Sequence, residues 1–179
     1  MAQLKPFRAL RYDRERNPKQ DMDAGIYLYE EQCAERAQAL RGMICLVRLE
    51  DFAAGVILPQ EGTLGTEKGG FPLMENFSQI YALYQDSQHT TRKRLENLAA
   101  SCPPRYEASD GPVTRRLWVV NDPVAIEALR KDFADRRLYL IDGRDRYEAA
   151  LHDRETDPAA DHITMMLLAT ETEAADETL

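Results

Sequence analysis

The sequence predicts a mixed α/β fold of the α+β kind, with one mixed-sheet domain over residues 1–179. Three observations lead there. Short apolar or alternating runs, at 25–33, 42–50 and 138–141, have the length and composition of strands. Stretches with apolar residues at helical spacing, at 90–100 and 123–133, fall between such runs. At 138–150 the pattern passes from one period to the other across Asp142-Gly143. A chain of 179 residues, 44% hydrophobic and 30% charged, can bury one sizeable core.

From the N-terminus, Lys5 to Tyr12 reads as an extended segment with Phe7 and Leu10 as core contacts. Residues 13–24 are polar and aperiodic, and are expected to form a loop. Residues 25–33 alternate, Tyr27 and Tyr29 on one face and Ile26 and Leu28 on the other, as in a strand covered on both sides. The connection 34–41 is rich in Ala, Gln and Arg and suggests two helical turns. The more apolar run 42–50 suits a central strand, and 55–59 gives a third short one with Glu61 just past its end. Glycines in the loop 63–70 do not make a phosphate loop, because no Gly-Lys-Ser/Thr follows.

Phe77 to Tyr84 has strand composition. Helix 90–100 has Thr90 or Thr91 as its expected N-cap and Pro103-Pro104 as its stop. Its Arg92, Lys93 and Arg94 read as a solvated face. Residues 106–108 and 113–120 flank Ser109-Asp110-Gly111-Pro112 as a hairpin. Asp122 is expected to cap helix 123–133, with Pro123 in its first turn and Val124, Ile126, Leu129 and Phe133 as its apolar residues. Residues 163–169 are apolar throughout, which fits a buried strand or a buried helix equally. Residues 171–179 form an acidic tail expected to fray.

Composition narrows the function classes. The 31 acidic and 23 basic side chains give a net charge of -8, which disfavours sequence-independent binding to nucleic acid. No apolar run approaches membrane-helix length and the N-terminus has no signal-peptide core, so a cytoplasmic location without membrane contact is expected. Cys33, Cys45 and Cys102 make no Cys-x-x-Cys pair and are read as small buried apolar residues. His89, His152 and His162 have no metal spacing and are read as surface residues.

The stretch from Leu138 to Ala150 carries the candidate chemistry. Leu138 to Ile141 suits a buried strand, Asp142-Gly143 a sharp turn, and Tyr147, Ala150 and Leu151 one helix face. A strand entering a helix through a glycine turn points backbone N–H groups outward, and Arg146 in the first helical turn can clamp a phosphate bidentately. The plainer reading is a corner with Asp142 as N-cap, Asp145 completing a capping-box-like pair and Arg146 in solvent. Spacing alone favours the plainer reading, because short motifs recur by chance.

A wider pattern bears on that choice. Lys5-Pro6-Phe7-Arg8-Ala9-Leu10-Arg11-Tyr12, Ile26-Tyr27-Leu28-Tyr29, Leu58-Pro59-Gln60-Glu61-Gly62-Thr63, Asn76-Phe77-Ser78-Gln79-Ile80-Tyr81-Ala82-Leu83-Tyr84, Leu117-Trp118-Val119 and the Asp-Gly turn follow one another in order. In this the chain resembles the DUF1015 family, whose members look like relatives of the ParB and sulfiredoxin superfamily. That superfamily holds nucleotide phosphates on a strand–Gly–x–x–Arg–helix element, and some relatives phosphorylate free serine. The resemblance implies a ParB/sulfiredoxin-like fold and a small-molecule or nucleotide ligand, ADP, ATP or another nucleotide, with magnesium. Asp142, Gly143, Arg144, Asp145 and Arg146 would form the binding element, Asp142 would hold the magnesium ion, and Glu61 would take a substrate hydroxyl proton. The alternative is a catalytically inactive member that keeps the fold as a binding or assembly module.

The chain departs from the family at these positions. The family writes Pro-His-Glu-Arg-Thr where this chain has Pro59 to Thr63, and Asp-Gly-His-His-Arg-Tyr where it has Asp142 to Tyr147. Three histidines able to move protons near neutral pH are thereby replaced. Residues 13–24 also stand where the family carries a larger block containing Pro-Pro-Tyr-Asp.

Overall fold

The computed structural model describes residues 1–12, 18–37, 39–59 and 80–170. Its N-terminal half holds strands β1 (Leu4–Lys5), β2 (Leu10–Tyr12), β3 (Pro18–Gln20), β4 (Ile26–Cys33), β5 (Leu40–Arg48) and β6 (Ile57–Pro59). A 3-10 turn, Phe52–Ala54, precedes β6. After 60–79 come β7 (Ile80–Gln85), helix α1 (Thr90–Ser101), β8 (Tyr106–Asp110), β9 (Val113–Val120) and α2 (Pro123–Phe133). The described chain ends with β10 (Leu138–Asp142), α3 (Arg144–Thr156) and β11 (His162–Thr170).

Nine strands make one mixed sheet in the order β6-β10-β7-β11-β5-β4-β9-β8, with β1 beside β5, while β2 and β3 pair separately. The pairs β6/β10 and β7/β11 are parallel, whereas β10 runs antiparallel to β7. Period-two alternation sorts the side chains into two layers. One face carries Ile26, Leu28, Met43, Cys45, Val47, Met165, Leu167, Tyr84 and Leu138, and the helices cover it through Leu95, Ile126, Leu129, Phe133 and Tyr147. The other face gathers Tyr27, Tyr29, Ile44, Tyr81, Met166 and Leu168, with Phe7 and Ala9 packed against them. Helices on a single face define an α+β arrangement. No helix among the described residues is long and apolar enough to cross a membrane.

Most elements lie where the pattern places them, and the differences have physical reasons. The polar stretch 13–24 is not all loop: β3 pairs with β2, and Asp21 is buried, accepting hydrogen bonds from Tyr27 (2.7 Å) and Tyr106 (3.0 Å). Residues 34–37 make a turn, not a helix, because β4 and β5 form an antiparallel pair that the chain must close quickly. Apolar 163–169 is a strand at the sheet centre, flanked by β5 and β7 and buried on both faces. Val124 is 77% exposed, so helix α2 packs through Ile126, Leu129 and Phe133, with half-buried Ala125 beside them. Asp122 caps that helix as expected, accepting from Ala125 N–H at 2.9 Å. Of the cysteines only Cys45 is buried; Cys33 is half-buried and Cys102 exposed. His162 is half-buried beside Asp161, so it is not a surface residue. Leu10 has no described side chain, and 63–70, 77–79 and the tail 171–179 lie outside the described residues.

Helix α1 is capped in an unexpected way. Its N-cap is His89, in the left-handed region at φ 54° with no side-chain cap bond, rather than Thr90 or Thr91. Asp86, at the end of β7, supplies the acceptor: its Oδ1 takes Thr91 N–H at 3.3 Å and its Oδ2 takes Arg92 N–H at 2.8 Å. Arg136 closes the same carboxylate at 2.9 Å.

Four strands share a charge ladder on the helix side. Register sets Glu30 opposite both Arg41 and Arg116, and Glu107 opposite Arg116. The ion pairs close at 2.7 Å (Arg41–Glu30), 2.9 Å (Arg116–Glu30) and 2.7 Å (Arg116–Glu107). Burial opposes ionisation of Glu30 most strongly, yet the bonds from Arg41 and Arg116 together outweigh it and hold the carboxyl below its usual 4.5. A depressed carboxyl stabilises the fold above the unfolded-state value, and that stability is lost as pH falls through the folded-state value. Glu30→Gln is therefore expected to cost about 1–3 kcal/mol at pH 7, with the gap to the unmodified chain narrowing below about pH 4.5. Urea midpoints at pH 7 and pH 3 read this directly; an equal gap at both would contradict it.

Candidate functional site

Strand β10 runs between β6 and β7 and stops at Asp142. The ladder with β7 reads Leu140↔Ala82 and then Asp142↔Tyr81, so Ile141 is an extra residue in a bulge. Bulges bend a strand and re-aim the side chains that follow. Gly143 continues at φ 81°, ψ 22°, in the left-handed region, and α3 starts at Arg144. The N-cap is thus Gly143 and not Asp142, whose Oδ1 instead accepts the Gly143 N–H at 2.7 Å. Asp142 to Arg146 are not part of one continuous helix, as the change of period predicts.

Two contacts fix the helix start. Tyr147, fully buried, donates to the Glu50 carbonyl at 2.7 Å and accepts Glu50 N–H at 2.9 Å. Its ring stacks on Phe52 with centroids 5.4 Å apart, and burial pushes its phenol up to about 12. With Tyr147 held against the core, residues 144–146 are left at the rim of the sheet. Asp142, Arg144, Asp145 and Arg146 are exposed.

These residues surround a cleft of about 360 Å³, lined by Pro59, Leu140, Ile141, Asp142, Gly143, Arg144, Asp145 and Arg146. Pro59 reaches it because β6 runs parallel to β10 with Leu140 opposite Pro59, so both strands deliver their carboxyl ends to one place. Five sequence-selected residues, Asp142 to Arg146, therefore share this cleft. Glu61 lies outside the described residues, two positions beyond the cleft residue Pro59.

The cleft has a defined electrostatic make-up. First-turn N–H groups of a helix have no partner within the helix and carry its positive end, so α3 favours an anion there. Arg144 bonds Glu148 at 2.8 Å, one turn on, and its guanidinium lies 5.8 Å from the Phe52 ring centroid. Part of its charge is already balanced. Asp145 puts a carboxylate in the same first turn.

Pattern reading missed Tyr81. Its side chain is buried, and its hydroxyl has no hydrogen-bond partner among the described residues. Leaving a buried hydroxyl unpaired costs about 1–3 kcal/mol. The phenol is shifted upward, mainly by burial and further by the Asp142 carboxylate, with Arg146 acting in the opposite direction. The alternation of Tyr81 and Leu83 suggests a common face, but the register that sets Tyr81 against Asp142 joins residues sixty-one positions apart.

No group of three or more His, Cys, Asp or Glu able to hold a metal occurs among the described residues. Asp142 offers one carboxylate oxygen beyond that taken by Gly143, so most of the ion's ligands would be phosphate and water oxygens. Such an ion would arrive with its nucleotide.

Fold and cleft together define a mixed-sheet α+β protein with a strand–glycine-turn–helix cleft at the carboxyl ends of two parallel strands. The model of a family described as protein of unknown function (DUF1015) matches residues 15–176, and the chain belongs to that family. No curated protein and no solved structure matches it.

Proposed function

We propose that this protein binds a phosphate-bearing small molecule, a nucleotide in the first instance, in the Asp142–Arg146 cleft. The observation that carries the reading is the position of the cleft. It opens where β6 and β10 end side by side and where α3 begins. Open α/β sheets take ligands beyond the carboxyl ends of their parallel strands, and helix starts favour anions. Arg146 supplies a cation there.

Phosphoryl transfer to a small hydroxyl acceptor is the reaction this site would serve, working through positioning and charge neutralisation. The chain's own residues would bind phosphate at Arg146 and the α3 N–H groups, while Glu61 would accept the acceptor's proton. A second reading, a binding or assembly module without chemistry, draws on the pairing of Arg144 with Glu148 and on the Asp145 carboxylate. The first reading requires ligand and turnover; the second requires no turnover, and as an assembly module it requires no ligand either.

Thermal unfolding with ADP, ATP and CTP, with and without magnesium, tests the binding. A ligand at a hundred times its Kd stabilises the folded state by about 2.7 kcal/mol. Arg146→Ala should remove that stabilisation. Asp145→His should strengthen metal-free binding, since two unit charges about 4 Å apart interact by roughly 4 kcal/mol at an effective dielectric of 20, less at an exposed site. No ligand-dependent shift, or a shift indifferent to Arg146→Ala, would sink the reading.

A further inference from the structure

We propose that the pocket beside β1 is a second ligand site, separate from the cleft, for a small organic anion: a carboxylate or phosphate ester on a short apolar body. The pocket holds about 390 Å³, within the range of small-molecule sites, and shares no lining residue with the cleft. Its apolar wall is Ala2, Leu4 and Ala134, and its basic groups are Lys5, Arg130 and His162. No carboxylate among the described residues lines it, in a chain whose net charge is -8. Apolar surface for a ligand's body, with cations for its head, suits an amphipathic anion.

The cations are held in place and little used elsewhere. Register seats Leu4 against Val47, and the Arg48 N–H donates to the Gln3 carbonyl at 2.9 Å, so β1 is fixed on β5. From α2, Arg130 Nε donates to the Leu4 carbonyl at 2.9 Å, which brings the guanidinium to the pocket wall. That bond takes one of its five donors. Its one ion pair among the described residues, with Glu127, is long at 3.9 Å. Lys5 is exposed and forms no ion pair among the described residues. The carboxyl end of α2 carries a partial negative charge, which Arg130 and Lys131 in its last turn offset. His162 contacts Asp161 through Nδ1, and that bond, with the Lys5 charge acting further, holds the Asp161 carboxyl below the usual carboxylate range. An ionised Asp161 accepts, so Nδ1 carries the proton and Nε2 is the nitrogen left for a ligand. An anion beside the ring favours its protonated form, which makes His162 a third donor.

The test is a titration followed by NMR of the Ala2 and Ala134 methyls and the His162 ring, in the unmodified chain, Lys5→Gln, Arg130→Gln and Arg146→Ala. The probes are isobutyrate and isopropyl phosphate; the controls are isobutyramide, and sodium chloride at matched ionic strength. At least one anion is expected to shift all three reporters saturably and to move the His162 ring towards its protonated form. The tighter of the two names the head group. Isobutyramide and chloride should leave the reporters in place. Lys5→Gln is expected to weaken binding about two- to fivefold, as an exposed charge allows, and Arg130→Gln about tenfold. Arg130→Gln also loses the Leu4 contact, so Lys5→Gln, which breaks no bond, decides if β1 loosens. Arg146→Ala should bind as the unmodified chain does, whatever becomes of the cleft reading. No saturable shift with either anion overturns the proposal. So does an equal response to isobutyramide, an affinity untouched by Lys5→Gln, or a loss of binding in Arg146→Ala.

Discussion

Replacing Asp86 with alanine should cost about 3–5 kcal/mol, against a total stability of about 5–15 kcal/mol for an ordinary domain. Asp86 is only 3% exposed and spends both carboxylate oxygens on partners. Two are the Thr91 and Arg92 N–H groups that open α1, and His89 offers that helix no side-chain cap. The third is Arg136, which also donates to Thr91 Oγ1 at 2.6 Å and lies 5.1 Å from the Tyr84 ring centroid and 5.2 Å from that of Phe133. Truncation leaves a largely buried guanidinium without its counter-ion and two helix-start donors unmet. Arg136→Ala should be costly for the mirror reason. The double change Asp86→Leu/Arg136→Met should recover part of the loss, because no unpaired charge then remains. Urea unfolding of the three variants decides it. A double variant as weak as the sum of the singles would show that the two residues do not act as a pair.

That network illustrates what the sequence could and could not convey. Periodicity is local, and the elements with clean local signals lie as expected: β4, β9, α2 and the strand–turn–helix at Gly143. Asp86 sits in an undistinguished Gln85-Asp86-Ser87 run, and its partner Arg136 is fifty positions away. Only the sheet order brings them together. The same limit hid the Asp142–Tyr81 pairing and left β11 undecided, since a strand buried on both faces loses its alternation. At 34–37 helix-favouring residues were overridden by the need to close an antiparallel pair, tertiary context prevailing over a weak propensity. The candidate site was legible as a contiguous motif from Asp142 to Arg146. That the end of β6 joins it was implied by the resemblance and not by periodicity, and the approach of β7 at Ile80 by neither.

Gly143→Ala should cost about 2–4 kcal/mol, and the origin of that loss bears on how the motif is read. An L side chain in the left-handed region costs about 1–2 kcal/mol, and Gly143 sits at φ 81°. A Cβ there would also stand 3.0 Å from Ile80 Cγ1 and 3.2 Å from Ile80 Cα, the second a backbone atom with little room to yield. Crowding of this kind costs about 1–3 kcal/mol, and the stiffer unfolded chain offsets only about 0.4–1 kcal/mol of the loss. Gly111 provides the control. It has φ 55° at the β8–β9 turn, and a Cβ there would meet nothing within 4 Å, so Gly111→Ala bears the backbone cost alone. The difference between the two variants in urea unfolding isolates the contact with Ile80. Should Gly143→Ala be no worse than Gly111→Ala, the junction of β7 with the turn is more yielding than its spacing indicates. Should it be worse, the fold already requires this glycine without any ligand, and the case for a phosphate site rests on Arg146 and the cleft's place at the strand ends.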